Sequence, residues 1–113
     1  MNTTPDALPA TLSASLPNLS HARFPLGQLA ATPGVLDLLE QHHANLFDLL
    51  ARHANGDWGD VCAEDAYAND QALIHGGRLL SSYTLVPGNL GSRVWLLSEQ
   101  NRSATTAIMP SEY

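Results

Sequence analysis

The stretch from Gly76 to Met109, GGRLLSSYTLVPGNLGSRVWLLSEQNRSATTAIM, decides the predicted fold. After Gly77 the spacing of the apolar residues changes from about 3.6 to about 2, which is the period of a β-strand. Strands are predicted over 78–86, 93–99 and 103–109. Turn residues at 87–91 and a short connection at 100–102 separate them. Consecutive strands with short connections pair antiparallel, so this part of the chain is predicted to form a three-stranded antiparallel meander.

The residues before this stretch show helical spacing. Thr32 and Pro33 suit the N-cap and the first position of a helix, and Asn45 suits the N-cap of the next one. A third helix is predicted from near Asp60, as its N-cap, to His75. Amphipathic helices bury their apolar stripes, so the three helices are expected to cover one face of the sheet.

Together these elements predict a single α+β domain over residues 23–113, with a short N-terminal strand over 24–31 and three helices packed on the C-terminal three-stranded meander. Gly27 is expected to mark a bend or bulge in the N-terminal strand. Paired leucines at 79–80 and 96–97 put apolar groups on both faces of the sheet. The face without helices is therefore a candidate dimer or partner surface.

The first 22 residues differ from the rest in composition. They are rich in Thr, Ser, Pro, Ala and Leu, and only Asp6 is charged. We predict a flexible N-terminal arm, and two interpretations stay open: a disordered tail, or a segment that orders on a partner. Pro9 and Pro17 interrupt any apolar run, and no stretch approaches the length of a membrane span. The expected location is the cytoplasm, away from the membrane.

The composition of the chain limits the classes of function that it can have. The chain has 113 residues, of which 44% are hydrophobic, enough for one self-sufficient core. Eleven acids, five arginines and no lysine give a net charge of −6. This balance argues against direct binding of nucleic acid, which depends on clustered cations. A single cysteine excludes an intramolecular disulfide framework and a multi-cysteine zinc site.

The densest polar feature holds five acids and no Lys or Arg between residues 57 and 70. A large indole between acids is typical of either a core corner or an interface anchor. We predict a partner-binding site, and the alternatives are solvated acids at a helix start and a metal site. The residues predicted to bind the partner are Asp57, Trp58, Asp60, Glu64, Asp65, Asp70 and Arg102.

Metal and catalytic patterns are weak. The acids do not match a calcium-loop pattern, and no H-E-x-x-H occurs. Four histidines lie where helices are predicted to end and are interpreted as capping cations. They are His42, His43, His53 and His75. No G-x-S-x-G nucleophile elbow is present. We therefore expect no cofactor, no metal and no catalytic residue.

Three further residues carry separate expectations. Cys62 falls on an apolar helical face, where a small buried hydrophobe is the common case. Asn69 lies on the same face and is expected to be a buried amide that bonds either to backbone or to the loop at 56–57. Arg102 can grip a phosphate or carboxylate, or form an internal ion pair with an acid such as Asp57, Asp60 or Glu99.

Six stretches carry a resemblance to a known family. They are FPLGQLAATPG (24–34), ARHANGDWGD (51–60), AND (68–70), GGRLLSSY (76–83), VWLLSE (94–99) and RSATTAIMPSEY (102–113). Through them the chain resembles a family of small plasmid-related proteins encoded on bacterial plasmids and integrative elements. Some members carry the label of type I restriction subunits, but a methyltransferase core with a target-recognition unit needs more than 113 residues. The resemblance implies a mobile-DNA setting and no residue-level mechanism.

The resulting hypothesis is a non-enzymatic acidic accessory protein of a mobile element that binds and modulates another protein. An acidic surface can occupy a basic nucleic-acid-binding cleft, so the expected partner is a nucleic-acid-handling or defence-system protein. An anti-defence inhibitor, anti-CRISPR or anti-restriction, is one form of this. The alternatives are a small metal-dependent nuclease or toxin-type enzyme, and a structural homo-oligomeric accessory protein. Homodimerisation stays open.

Overall fold

The computed structural model describes residues 22–113, so the arm predicted for residues 1–22 lies, apart from Ala22, outside the described residues. The described chain is α+β, with three helices and a four-stranded mixed sheet. The strands are β1 (Gln28–Ala31), β2 (Leu79–Thr84), β3 (Arg93–Ser98) and β4 (Ala104–Ile108), and the helices are α1 (Pro33–Gln41), α2 (Leu46–Ala54) and α3 (Ala63–His75). Single 3₁₀ turns occur at Leu90–Ser92 and Pro110–Glu112.

The sheet corrects the predicted topology. Strands β2, β3 and β4 pair antiparallel in sequence order, as the meander requires. The predicted three-stranded antiparallel sheet is nevertheless not exact, because β1 joins the meander as a fourth strand parallel to β4, with Leu29 opposite Thr105. A short strand satisfies its backbone groups only by joining a sheet, and a three-stranded meander would leave one edge of β4 open. The strand order is β1-β4-β3-β2.

Gly27 sets the point where β1 can begin. Its φ is +70°, and a Cβ there would lie 2.5 Å from the backbone carbonyl groups of Arg102 and Ser103. The expected bend at Gly27 is therefore present, and it passes directly against the turn between β3 and β4. Because the chain bends here, the strand covers 28–31 instead of the predicted 24–31. Phe24 lies before the bend, where its ring is buried.

Two of the three helices begin at the N-cap residue that the side-chain chemistry of the sequence predicts. Thr32 Oγ1 accepts the N–H of Val35 at 3.2 Å and Asn45 Oδ1 accepts the N–H of Phe47 at 2.8 Å, which confirms both predicted N-caps. The third helix begins at Ala63, and Asp60 is not its N-cap. The Asp60 carboxylate instead accepts the N–H of Thr84 in β2 at 2.9 Å.

The core lies on one face of the sheet. Its main cluster joins α1 and α2 to the inward side chains of β2, β3 and β4, and consists of Val35, Leu38, Leu39, Leu49, Leu50, Tyr83, Val94, Leu96 and Ala107. A second cluster consists of Phe24, Trp58, Ala72 and Leu79. The opposite face carries partly exposed apolar side chains, as the paired leucines predict. They are Leu80, Trp95, Leu97 and Ile108. Within residues 22–113, none of the helices is long and apolar enough to cross a lipid bilayer.

We predict that Gly27→Ala destabilises the fold far more than Gly88→Ala. Both glycines have positive φ, +70° and +83°, so both variants carry the left-handed backbone cost of about 1–2 kcal/mol. Only at Gly27 does the new Cβ meet backbone, whereas nothing lies within 4 Å of it at Gly88. We expect a loss of about 3 kcal/mol or more for Gly27→Ala, measured by urea unfolding. Equal losses in the two variants would contradict the close approach of Gly27 to the β3–β4 turn.

Candidate functional site

Asp57, the first acid of the predicted site, is held by an arginine. Arg52 Nε donates to its Oδ2 at 2.7 Å, and the N–H of Gly59 donates to Oδ1 at 3.1 Å. The hydrogen bond from Arg52 is the main reason why the pKa of the Asp57 carboxyl lies below its usual range. The central carbon of the Arg52 guanidinium lies 4.5 Å from the centroid of the Tyr83 ring. Asp57 therefore presents a largely compensated charge.

Trp58 belongs to the core. Only 6% of its surface is exposed, and its ring packs beside Phe24 and His53. Its Nε1 donates to Asp70 Oδ1 at 3.0 Å, so the polar end of the indole is satisfied by a carboxylate on α3. Trp58 is thus not available as an exposed anchor, and Asp70 has an internal partner.

The segment from Trp58 to Asp60 pairs with the outer edge of β2. The N–H of Ser82 donates to Trp58 O at 3.0 Å, and the N–H of Asp60 donates to Ser82 O at 2.6 Å. Gly59 lies against Ser82 so closely that a Cβ would be 2.0 Å from its carbonyl oxygen. With the bond from Thr84 to the Asp60 carboxylate, this segment covers the C-terminal half of the β2 edge.

Asn69 covers the other half of that edge. Its Nδ2 donates to Leu80 O at 2.8 Å, and its Oδ1 accepts the N–H of Leu80 at 3.2 Å, so one side-chain amide replaces a neighbouring strand. Asn69 is buried. The prediction of a buried amide bonded to backbone is confirmed, although its partner is β2 and not the chain near 56–57.

Arg102 does not form the ion pair that the sequence led us to expect. Its guanidinium donates to the carbonyl oxygens of Ala72 at 3.0 Å and Glu99 at 3.0 Å, and also to that of Gly77. Among residues 22–113 it forms no ion pair with a carboxylate. The physical reason is that its guanidinium is already occupied by these backbone carbonyl oxygens, which come from the last turn of α3, the residues after it and the β3–β4 turn. Arg102 therefore secures this end of the helix.

Glu64 and Asp65 are the predicted acids with free carboxylates. Both lie exposed in the first turn of α3, and neither makes an ion pair or side-chain hydrogen bond within the described part of the chain. Two large apolar side chains follow on the same helix. Tyr67 is 66% exposed and Ile74 is 71% exposed, and they lie two turns apart on one face. We call the surface formed by Glu64, Tyr67 and Ile74 the α3 outer face.

A buried polar network lies around His53, which the sequence places both in the apolar stripe of the second helix and among the capping cations, and the bonds of this network were not predicted. His53 Nδ1 lies 2.6 Å from Ser81 Oγ and Nε2 lies 2.9 Å from Ser98 Oγ. Ser98 Oγ in turn lies 2.6 Å from Thr105 Oγ1, which donates to Leu26 O at 2.8 Å. Burial, with a smaller contribution from the positive charge of Arg102, lowers the pKa of His53 to about 4.

The serine–histidine distances of this network match those of a nucleophile and its base. His53, Ser81 and Ser98 are, however, all fully buried, so no substrate can reach them. The network therefore ties α2 to three strands as a structural element. The sequence already shows His53 in phase with Leu46, Leu49 and Leu50. The further signal, which was not used, is that both serines are in phase with the buried residues of their strands.

The remaining candidates for metal or thiol chemistry do not converge. No three His, Cys, Asp or Glu side chains between residues 22 and 113 are placed to hold a metal ion. Cys62 is the exposed N-cap residue of α3, so the expectation of a buried thiol on an apolar face is wrong. The helix begins two residues later than predicted. Cys62 therefore precedes the first helical residue and does not lie on the face of the helix that packs against the protein.

An open cavity lies elsewhere, at the β1 edge of the sheet. It is an open, mainly apolar groove of about 740 Å³ between β1 and the α1–α2 connection. We call it the β1 groove. Its main apolar lining residues are Leu29, Ala31, Leu36, Leu39, Leu46 and Phe47.

Comparison of the chain with protein-family models, with curated proteins and with solved structures gives no significant match. The resemblance to plasmid-related proteins accordingly stays a prediction.

We predict that Asn69→Asp destabilises the protein by about 2 kcal/mol at pH 7. The carboxylate keeps the size of the amide and can still accept the N–H of Leu80, but it places an unpaired negative charge against Leu80 O. Urea unfolding measures the loss. The matched control is Asp65→Asn on the same helix, an exposed position where we expect a change within about 0.5 kcal/mol. Comparable losses at the two positions would contradict the role of Asn69 at the sheet edge.

We predict that stability falls as the pH drops from about 6.5 to about 4. In this window the His53 side chain binds a proton in the unfolded chain. In the folded protein the same side chain is buried, has a pKa of about 4 and stays neutral. Protonation therefore favours the unfolded state, by up to about 3 kcal/mol at the acid end. The measurement is the free energy of unfolding against pH, for the wild type and for His53→Gln. Identical slopes in the two proteins would show that His53 does not cause the dependence.

Proposed function

We propose that this protein is a non-enzymatic accessory protein that binds and modulates another protein through the α3 outer face. The partner we propose is a nucleic-acid-handling or defence-system protein, which makes the chain a candidate anti-defence inhibitor of a mobile element. The proposal places the protein in the cytoplasm. Its main support is the exposure of Tyr67 and Ile74 on a helix whose other face is fixed to the sheet.

The packing of α3 makes this face suitable for binding. Asn69 and Ala72 are buried against the body of the protein, and Arg102 secures the last turn, so the helix is rigid before any partner arrives. A rigid surface loses less conformational entropy on binding than a loop does. Tyrosine and isoleucine side chains held in this way supply apolar area of the kind that dominates binding energy.

Charge supports a basic partner. Glu64 and Asp65 lie in the first turn of α3 and Asp70 lies at the border of the outer face, with no Lys or Arg on the helix. Negative groups around an apolar centre are complementary to the basic clefts of proteins that handle nucleic acid. Asp57, Asp60, Trp58 and Arg102 are occupied within the fold, so we confine the proposed contact to α3.

The test compares Tyr67→Ala/Ile74→Ala with the control Leu90→Ala. Leu90 is 69% exposed, similar to the two test residues, but it belongs to the turn before β3. A partner is captured from the host with the wild-type protein, purified, and titrated with all three proteins. Because interface anchors contribute about 2 kcal/mol or more each, we expect the double variant to weaken binding at least about 100-fold and Leu90→Ala to leave it unchanged.

The electrostatic part is tested with Glu64→Lys. Association with a basic partner should slow by about tenfold at low salt, and the difference should shrink at high salt. Thermal unfolding of each variant confirms that the fold is kept. The proposal fails if the double variant and Leu90→Ala bind equally well, or if the captured partner has no basic surface and its binding is insensitive to salt.

A further inference from the structure

The two edges of the sheet are treated differently. The outer edge of β2 is covered by Asn69 and by the segment from Trp58 to Asp60. Between residues 22 and 113, no strand pairs with the outer edge of β1. An uncovered edge strand is a template for another strand, and the β1 sequence, QLAA, has neither the charge nor the proline that usually prevents such pairing. The described part of the chain therefore leaves one edge open to a further strand.

The pairing of β1 with β4 determines which backbone groups face outward. The N–H groups of Gln28 and Thr32 donate to carbonyl oxygens on the β4 side of the strand, at 2.9 Å and 3.1 Å. Directions alternate along a strand, so the N–H and C=O groups of Leu29 and Ala31 point away from β4. Four backbone groups are thus available at this edge, and no backbone hydrogen bond within residues 22–113 uses them.

The extended segment is symmetric about Ala30. The chain bends at Gly27 and α1 follows directly after Thr32, so residues 28–32 are extended with Ala30 at their centre. When two such segments pair antiparallel with Ala30 opposite Ala30, Leu29 of each copy lies opposite Ala31 of the other. This register uses all four outward groups of both copies in hydrogen bonds. The small Ala30 side chains then meet at the two-fold axis, where the Cα atoms of a non-hydrogen-bonded pair are about 4.5 Å apart.

The side chains that this register brings together are complementary. Leu29 packs against the core and lines the β1 groove, so it lies on the groove side of the sheet. Opposite residues of an antiparallel pair point to the same face, so Leu29 of each copy enters the β1 groove of the other, where Leu36 is 51% exposed. On the other face, Gln28 lies opposite Thr32, whose hydroxyl donates to the Glu112 carboxylate at 2.7 Å. The neutral Gln28 amide can donate to that carboxylate without a like-charge contact.

We propose that the β1 strands of two copies of this chain pair antiparallel about a two-fold axis at Ala30, with Leu29 of each copy in the β1 groove of the other. The sheet then continues across the interface as eight strands. Because the β2 edge is covered, pairing stops at two copies and gives a closed dimer instead of a filament. Asn69 fixes α3 to β2, so the two α3 helices lie at opposite ends of this sheet. The proposal does not depend on the proposed function.

The test is sedimentation equilibrium of the full-length protein at rising concentration. The wild type is expected to approach twice the mass of one chain and no more. Ala30→Lys sets two positive charges against each other at the axis, so its dimer dissociation constant should rise at least about tenfold, and Ala30→Glu should have the same effect. In an equimolar mixture of the two variants, opposite charges meet at the axis. The mixture should therefore associate at least about tenfold more tightly than either variant alone, which also shows that both are folded.

The matched control is Ala104→Lys, which adds the same charge on the same face of the sheet, in β4 opposite Gln28. In the proposed dimer the two lysines at this position are about 20 Å apart, so the dissociation constant should change by less than about threefold. The proposal is overturned if the wild type stays a monomer at about 1 mM, or if its mass rises beyond that of a dimer. Equal weakening by Ala30→Lys and Ala104→Lys, or a mixture that does not recover association, also overturns it.

Discussion

The hydrogen bonds along the outer edge of β2 are the constraint on which most of the structure depends. A buried strand edge must find partners for its N–H and C=O groups, and here the partners come from Asn69 and from the backbone of Trp58 and Asp60. These bonds fix the start of α3, because the chain leaves the sheet only after Asp60. They also fix which carboxylates are used internally and which stay exposed.

The second constraint is polar and lies inside the core. His53 occupies a position that could hold an apolar side chain, and it is satisfied on both ring nitrogens by serines of β2 and β3. A fully bonded network of this kind specifies one register of α2 on the sheet, because a shift would leave buried polar atoms unpaired. The low pKa of His53 follows from the same burial.

Structural features that depend on residues close in sequence were predicted correctly. Features that depend on residues far apart in sequence were not. The caps at Thr32 and Asn45 depend on residues two or three positions away, so their side-chain chemistry was sufficient. Asp60 had equally good cap chemistry, but its carboxylate is bonded to Thr84, which a local pattern does not show. The same holds for the parallel pairing of β1 and for Arg102, whose carbonyl partners come from the end of α3 and the β3–β4 turn. At the predicted site, charge clustering identified the right region, but it could not separate Glu64 and Asp65 from acids with internal partners.

The parallel pairing of β1 with β4 has a consequence for biosynthesis. Of the described strands, β1 leaves the ribosome first and its neighbour in the sheet, β4, leaves last, so the backbone of β1 cannot pair with β4 until all of the residues between them have been synthesised. Contacts of such high sequence separation slow folding, since a long loop must close before they form. Until β4 has emerged, the QLAA strand, in which three of the four residues are apolar, is exposed to chaperones and to other emerging polypeptides.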